Sequence, residues 1–337
     1  MNDLLIAADQ GSPSRLFLLD LSAAFDTVDH GILLNRLHTT VGLSGNILIW
    51  FKSYLTNRTE YVALGTAKSH THTVTCRVPQ GSVLGPSLFT IYISPLGQII
   101  RKHNISFQFQ FQLYVKMNST PTLISSALQA CLKEIEAWMA ENSLQFNSNK
   151  TEAILIGTPH QIKTSSTKSI LVSGHNIPLS SPVINLGVKI DSTLTFDHHV
   201  RHLSKVSFFH LKNIAKLRPS LTQSDAEKLI HAFISSRLDY CNALLVGIPG
   251  RSLERLQHIQ NCAARVLTRR RKFDHITPVL QSLPWLPIRS RIQYKLCLLT
   301  YQCVHGTAPA YLSELLFPQA TSRLLRSNTA FISQGPG

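Results

Sequence analysis

The spacing of apolar residues near the start of the chain predicts a strand followed by a helix. Residues 15–21 form a short, nearly continuous apolar run typical of a buried strand, and apolar residues then recur with helical spacing over 25–37. Further along, residues 59–64 and 71–78 alternate between apolar and polar and are rich in β-branched side chains. These two segments are predicted to pair as a hairpin.

The middle of the chain continues this mixture of strands and helices. Pro86 suits the first turn of a predicted helix, because its φ angle is fixed and it has no N–H group to satisfy. Strict alternation of apolar residues with Gln over 107–113 predicts one strand with a single buried face. An amphipathic helix is predicted over 122–142, and short strands are predicted over 153–157 and 183–190.

From residue 196 onward the pattern is almost wholly helical. The predicted helices cover 196–217, 224–245, 251–272 and 288–304. The chain is therefore predicted to hold a mixed α+β region over 1–195, a helical region over 196–325 and an unstructured tail over 326–337.

Composition narrows the class of protein. The chain has 337 residues, of which 44% are apolar and 15% are charged, as expected of a globular protein with a substantial core. The six cysteines show neither a C-x-x-C pair nor a Cys/His zinc spacing, so free buried thiols are expected. The sequence shows no secretory leader and no apolar run of roughly eighteen residues. These features predict an intracellular protein, in the nucleus or the cytoplasm, with no membrane partner.

The net charge of +15 is concentrated in the second half of the chain. Residues 1–195 hold 14 Lys and Arg against 11 Asp and Glu, a net charge of +3, whereas residues 196–337 hold 19 against 7, a net charge of +12. A basic surface of this kind attracts a nucleic-acid backbone. The alternative is a solvated basic face that has no partner.

Two short stretches carry the candidate chemistry. LLDLSAAFDTVDH, from Leu18 to His30, brings the carboxylate of Asp20 to the end of a predicted strand, and VPQGSVLGPSLF, from Val78 to Phe89, is a Pro-Gln-Gly turn that leads into a helix. In this order and about sixty residues apart, they resemble motifs A and B of the reverse transcriptases of non-LTR (LINE-type) retrotransposons.

This resemblance implies a fold and its partners. It implies an α+β polymerase palm, with an antiparallel sheet packed on helices and incomplete fingers, followed by an all-α thumb-like region. It also implies an RNA template, a DNA primer and Mg²⁺ as the cofactor.

Asp20 matches the metal-binding aspartate of motif A, and its alternative role is an N-cap for the following helix. The Tyr-Ala-Asp-Asp turn of motif C is absent, and FQFQFQLYV, from Phe107 to Val115, stands in its place. Both aspartates of that motif are missing. A single carboxylate is too little charge to hold two divalent ions, so Mg²⁺ is not expected to bind productively.

Other residues match the family at single positions. Phe25 stands where an aromatic ring excludes a ribose 2′-hydroxyl, although a core Phe explains it equally well. Gln80 and Gly81 match the motif B turn, where the backbone approaches the incoming nucleotide. Lys150 matches the lysine of motif D, near the leaving pyrophosphate, and a surface lysine is the alternative.

The basic helical region supplies the candidate nucleic-acid contacts. A helix with one packed face and a basic end suits contacts to phosphates rather than to base edges. The alternative is that each arginine only solvates a helix end. The candidate residues are Arg251, Arg255, Arg269, Arg270, Arg271 and Lys272.

The sequence thus predicts a domain derived from a non-LTR reverse transcriptase, an RNA-directed DNA polymerase by descent, that is inactive in this form. The alternatives are an RNA- or DNA-binding remnant that performs no catalysis and a translated transposon fossil with no selected function.

Overall fold

The computed structural model describes residues 2–108, 112–116, 121–271, 273–318 and 331–333. The chain divides into two compact units. The first, which we call the sheet unit, is Gly11–Ser180. The second, the helical unit, joins Met1–Gln10 to Ser181–Gly337. The predicted boundary at residue 195 stays a prediction.

The sheet unit alternates short helices with antiparallel strands. Helix α1, Asn2–Asp9, belongs to the helical unit. The elements of the sheet unit are β1 Ser14–Leu18, α2 His30–Thr39, α3 Gly45–Leu55, β2 Arg58–Glu60, β3 Ala63–Leu64, β4 Ala67–Lys68, β5 His72–Val74, α4 Gly85–Ile93, α5 Leu96–Lys102, β6 Ser106–Gln108, β7 Gln112–Lys116, α6 Pro121–Glu141, β8 Glu152–Ile156, α7 Pro159–Thr164, β9 Ser169–Val172 and β10 His175–Pro178.

A four-stranded antiparallel sheet in the order β6-β7-β1-β8 is the frame of this unit. Phe17 in β1 is opposite Leu113 in β7 and Ala153 in β8, and all three are buried in one core with side chains of α2, α4 and α6. Residues directly opposite each other in an antiparallel sheet share a face. The alternate face therefore carries Leu16 and Leu18.

The segment 107–113 is not one strand, as its alternation predicted, but the two arms of a hairpin. Phe107 in β6 is opposite Leu113 in β7, with residues 109–111 between the arms in the sequence and outside the described part of the chain. Period-two alternation alone does not distinguish one long strand from the two arms of a hairpin. The sequence between the arms contains no Gly, Pro, Asn or Asp, which are the residues that usually indicate a turn.

The first predicted helix begins five residues later than its apolar spacing suggested. Asp29 is the N-cap of α2, and its Oδ1 accepts a hydrogen bond from the backbone N–H of Ile32 at 2.8 Å. The preceding residues instead make turns, in which the N–H groups of Asp26 and Thr27 donate to the carbonyl oxygen of Ala23 at 2.8 and 3.2 Å. The other predicted strands and helices of this unit are present, with shorter strands in the 58–74 hairpin.

The helical unit is built on long helices after one small hairpin. Its further elements are β11 Val183–Asn185, β12 Val188–Ile190, α8 Asp197–Leu217, α9 Gln223–Ile230, α10 Ser236–Asp239, α11 Gly250–Thr268, α12 Thr277–Ser282, α13 Ile288–Val304, α14 Ala310–Ser313, β13 Leu316–Pro318 and β14 Phe331–Ser333. A π-helical turn, His231–Ser235, joins α9 to α10, and 3₁₀ turns lie at Arg218–Ser220 and Asn242–Leu245.

The predicted helix 251–272 ends earlier, at Thr268, because Arg269 takes a left-handed conformation with φ of 56°. The guanidinium of the buried Arg218 donates to the carbonyl oxygen of Leu267 from Nε at 3.1 Å and from Nη2 at 2.8 Å. A cation at this position satisfies a carbonyl at the helix end and complements the helix dipole. Arg270 and Arg271 therefore follow the helix rather than extend it.

The mixed α+β class is confirmed, whereas the assignment of palm, fingers and thumb stays a prediction. The predicted tail lies outside the described residues except for Phe331–Ser333, which pair with Leu316–Pro318. In the part of the chain that the structure describes, no helix is long and apolar enough to cross a membrane.

A buried histidine makes the stability of the helical unit depend on pH. His199 is 3% exposed, its Nδ1 accepts a hydrogen bond from the N–H of Lys189 at 3.4 Å, and burial lowers its pKa, with smaller effects of His202 and Lys189. The folded state therefore favours the neutral ring. Its contribution is fully present above the unfolded pKa of about 6.5 and is lost as the pH falls below that value.

We predict that His199→Asn, which retains an acceptor but does not titrate, reduces the fall in melting temperature between about pH 7.5 and about pH 5. His198→Asn is the control, because His198 is exposed in the same helical turn. Thermal unfolding followed by circular dichroism measures both variants. An equal pH response in His199→Asn and in the unsubstituted chain would contradict this account.

Candidate functional site

The backbone of Asp20 is fixed where β1 leaves the sheet. Asp20 lies two residues beyond Leu18, is half-buried, and donates its N–H to Oγ1 of Thr151 at 3.2 Å. Its carbonyl oxygen accepts from the N–H of Asn147 at 2.8 Å. The two bonds attach the end of β1 to the turn that precedes β8.

Lys150 belongs to that same turn. The N–H groups of Lys150 and Thr151 both donate to the carbonyl oxygen of Asn147, at 3.2 and 2.9 Å, and the side chain of Lys150 is exposed. The structure thus brings together the predicted motif A aspartate and the turn that holds the predicted motif D lysine.

The hairpin β6–β7 lies on the other side of β1. Gln112, the first residue of β7, is opposite Leu18, so β7 begins beside the end of β1 that leads to Asp20. Phe109, Gln110 and Phe111 immediately precede β7 in the sequence and lie outside the described residues. By resemblance, this hairpin is where the two aspartates of motif C are expected.

The carboxylates that follow Asp20 in the same motif, Asp26 and Asp29, form hydrogen bonds to other groups. Asp29 caps α2. Oδ1 of Asp26 accepts hydrogen bonds from Nε of Arg77 at 2.9 Å and from Nε2 of Gln80 at 3.2 Å. Glu152 is opposite Leu18 in the register and shares a sheet face with it, and Leu18 lies two residues before Asp20.

All 18 Asp and Glu residues of the chain lie within the described ranges. Among those residues no group of three His, Cys, Asp or Glu side chains is placed to hold a metal ion. The donor set around Asp20 is therefore at most a pair of carboxylates.

Gln80 and Gly81 form the turn that was predicted for motif B. The N–H of Ser82 donates to the carbonyl oxygen of Pro79 at 3.2 Å, and Gly81 has φ of 77° at the third position, as a type II turn requires. Oγ of Ser82 then accepts from the N–H of Gly85 at 3.0 Å, where α4 begins. A Cβ atom on Gly85 would lie 3.1 Å from that oxygen and 3.3 Å from the carbonyl oxygen of Pro79.

Phe25 packs onto the same helix start. Its ring centroid lies 5.1 Å from that of Phe89 in α4, and its carbonyl oxygen accepts from the N–H of Val78 at 2.9 Å. The ring is partly buried against the core of the sheet unit. Phe25 therefore helps to hold the motif A turn against the motif B turn, whether or not it also contacts a nucleotide.

Sequence reasoning missed the charged network between these two motifs. Besides Asp26, Arg77 contacts Oε2 of Glu60 through Nη1 at 2.8 Å. Arg77 and Glu60 border a cleft of about 320 Å³, which is lined by Arg58, Thr59, Glu60, Val74, Arg77, Pro79 and Gln80. No motif marked Arg77 or Glu60, because their pairing depends on the hairpin β2–β5, which sets Glu60 opposite His72.

The predicted nucleic-acid contacts are spread over α11 and the loop that follows it. Arg255 and Arg270 are exposed, and Arg251 pairs with Asp197, with Nη2 3.3 Å from Oδ2. Arg269 donates to the carbonyl oxygens of Arg218 at 3.0 Å and Pro219 at 3.3 Å, although the residue as a whole is exposed.

Arg271 is exposed, and its backbone N–H donates to Oδ2 of Asp274 at 2.9 Å. Lys272 lies outside the described residues.

A family model described as reverse transcriptase (RNA-dependent DNA polymerase) matches residues 3–190, more than half of the chain. The chain belongs to the reverse transcriptase family. The matched range contains Asp20, Phe25, the motif B turn and Lys150, and the predicted resemblance to the reverse transcriptases of non-LTR retrotransposons is confirmed.

Curated relatives of this reverse transcriptase chain come from mobile elements. It is 26% identical over 194 residues to the RNA-directed DNA polymerase from mobile element jockey of Drosophila melanogaster, covering 56% of this chain and 20% of that protein. It is 25% identical over 278 residues to the probable RNA-directed DNA polymerase from transposon BS of the same organism, covering 79% and 30%. The chain thus spans between a fifth and a third of the length of these relatives.

Solved structures with a likeness to the chain include telomerase from Candida albicans in complex with a fragment of telomeric RNA. The TM-score is 0.40 at 12% identity, covering 84% of this chain and 52% of that one. The family membership of the chain rests on its sequence.

The lack of space for a Cβ atom at Gly85 allows a test of the packing at the motif B turn. We predict that Gly85→Ala lowers the free energy of unfolding by about 1–3 kcal/mol, because the added methyl group meets a backbone carbonyl that cannot move freely. Gly250→Ala at the start of α11 is the control, since its Cβ meets nothing within 4 Å and the substitution is neutral or stabilising by up to about 1 kcal/mol. Urea unfolding measures both, and equal stability of the two variants would contradict the packing described.

Proposed function

We propose that this chain is a reverse transcriptase domain by descent that does not catalyse nucleotidyl transfer. The observation that carries the proposal is the number of carboxylates near Asp20. The family implies two Mg²⁺ ions, which would activate a primer hydroxyl and clamp a triphosphate between clustered carboxylates. Here Asp20 and, by register, Glu152 are the only candidates among the described residues, which include every acidic residue of the chain.

The residues present do not fit a two-metal centre. Two adjacent divalent ions repel each other, and neutral amide oxygens, such as those that Gln108 and Gln110 carry, supply no charge to offset that repulsion. Losing one metal removes several kcal/mol of transition-state stabilisation, and each 1.4 kcal/mol is about tenfold in rate. We therefore assign no catalytic step to bound metal.

The contacts between the segments of motifs A and B are retained. Phe25, Gln80 and Gly81 hold motif A against motif B through the Phe25–Phe89 contact and the Gln80–Asp26 hydrogen bonds. Lys150 lies in the turn attached to Asp20, where a cation favours a phosphate ligand. These residues preserve the relation between motifs A and B, but the site lacks the charge needed for the reaction.

A second candidate function is binding of RNA or DNA by the helical unit without catalysis. It is favoured by the net charge of +12 over residues 196–337 and by the exposure of Arg255, Arg270 and Arg271. Filter binding of the full chain to an RNA and a DNA oligonucleotide tests it. Absence of binding to either at low salt would rule it out.

We predict that primer extension on an RNA template, with Mg²⁺ or Mn²⁺, gives no more product with the full chain than with Asp20→Asn. The physical reason is that the chain already lacks the negative charge that holds the second ion. Incorporation of labelled deoxynucleotides measures the activity, and circular dichroism verifies that both proteins are folded. Template-dependent synthesis that disappears in Asp20→Asn would refute the proposed loss of activity.

A further inference from the structure

Helix α8 has one buried face and one basic face. Its buried residues are His199, Val200, Leu203, Ser207, Leu211 and Ile214. Its exposed residues with a charged or aromatic side chain include Arg201, Lys205, Phe208, Phe209, Lys212 and Lys216. At 3.6 residues per turn these residues form one stripe along the helix, with Phe208 at one edge and Phe209 about 100° away at the other. The acidic residue of α8, Asp197, lies in its first turn.

Helix α11 lies alongside α8 and runs in the same direction. At the N-terminal ends of both helices, a hydrogen bond from Ser252 lowers the pKa of Asp197. The charges of Arg251, Arg201 and Arg255 lower this pKa further. In the middle, the rings of Phe208 and His258 are 5.8 Å apart between centroids, tilted by 48°.

At the other end is a cavity of about 730 Å³ between the C-terminal ends of the two helices. It is lined by Ala215, Arg218, Pro219, His258, Asn261, Cys262, Arg265, Val266, Arg269, Arg270 and Phe273. Because His258 both touches Phe208 and lines this cavity, the three places belong to one surface, which we call the α8–α11 groove.

The groove combines cations along its length with an aromatic pair at its centre. Arg201, Arg251 and Arg255 are gathered at one end, and Arg265, Arg269 and Arg270 at the other. The guanidinium groups of Arg265 and Arg269 donate to carbonyl oxygens, which are neutral, so both residues keep their positive charge. This arrangement suits a ligand that carries phosphates on either side of a flat apolar group.

We propose that the α8–α11 groove binds a single strand of RNA or DNA, with one base against the Phe208–His258 pair and phosphates on the arginines at both ends. This inference rests on the second proposed function. A base in a duplex has both faces covered by its neighbours, so an aromatic side chain can stack only on an unpaired one. Phe208 is 36% exposed at the groove centre.

The length of the groove sets the size of the ligand. Arg201 and Ala215 are separated by about 21 Å along α8, at 1.5 Å per residue. A strand advancing about 3.4 Å per nucleotide covers this span with about six nucleotides.

Fluorescence anisotropy of the full chain with labelled oligonucleotides over a salt series tests the proposal. The probes are an oligouridine, an oligothymidine and a DNA duplex of equal length, each longer than the predicted site. We expect both single strands to bind more tightly than the duplex. The comparison of oligouridine with oligothymidine shows which of the two the groove prefers.

Phe208→Ala is expected to weaken single-strand binding by about 5- to 150-fold without changing the slope of log K against log salt, because stacking involves no counterion release. Phe209→Ala is the matched control and should leave binding unchanged. Phe209 is 63% exposed in the same helix, but its position is rotated by about 100° away from α11. Phe208→Leu keeps the apolar volume and serves if Phe208→Ala does not fold.

Arg255→Gln is expected to reduce the magnitude of the salt slope by about 0.7, the value for one phosphate contact on a single strand. Arg289→Gln in α13, also exposed, should leave the slope unchanged. Duplex binding as tight as single-strand binding, or equal effects of Phe208→Ala and Phe209→Ala, would overturn the groove as the site. Absence of binding to every probe at low salt would instead remove the proposed nucleic-acid function itself.

Discussion

Two divalent ions side by side require several negative charges around them, and the proposed loss of activity depends on this requirement. The ions repel each other, and only carboxylates supply enough charge in a partly buried site to offset that repulsion. Asp20 stands where the sheet delivers such a ligand, fixed by backbone hydrogen bonds to Thr151 and Asn147. The hairpin beside it has the right topology, but the residues that lead into β7 are Phe109, Gln110 and Phe111.

The core of the sheet unit does not depend on the proposed metal site. Phe17, Leu113 and Ala153 fill the opposite face of the sheet, and Phe25 and Val78 join the two motifs through packing and a backbone hydrogen bond. None of these contacts depends on a carboxylate at the motif C position. The architecture of the sheet unit therefore does not require the motif C aspartates, which is consistent with the proposed loss of activity.

Much of this could be predicted from the sequence, and the exceptions have physical causes. The strand before Asp20 and the motif B turn follow from local signals, an apolar run and a Pro-Gln-Gly sequence. The hairpin at 106–116 was not predicted, because alternation continues through a reversal that lacks the usual turn residues. The end of α11 was placed too late because the conformation of Arg269 accompanies a contact with Arg218, about fifty residues earlier in the chain. The basic stripe of α8 was visible in the spacing of Arg201, Lys205 and Lys212, but only the parallel packing of α11 makes it one side of a groove.

The most direct measurement of the central claim is a titration with Mn²⁺, in which electron paramagnetic resonance reports the free ion. The account predicts that the full chain and Asp20→Asn bind Mn²⁺ equally weakly, with no pair of ions held at concentrations below about 1 mM, the weak end of carboxylate sites. Two ions bound per chain at micromolar concentrations, and lost in Asp20→Asn, would contradict it.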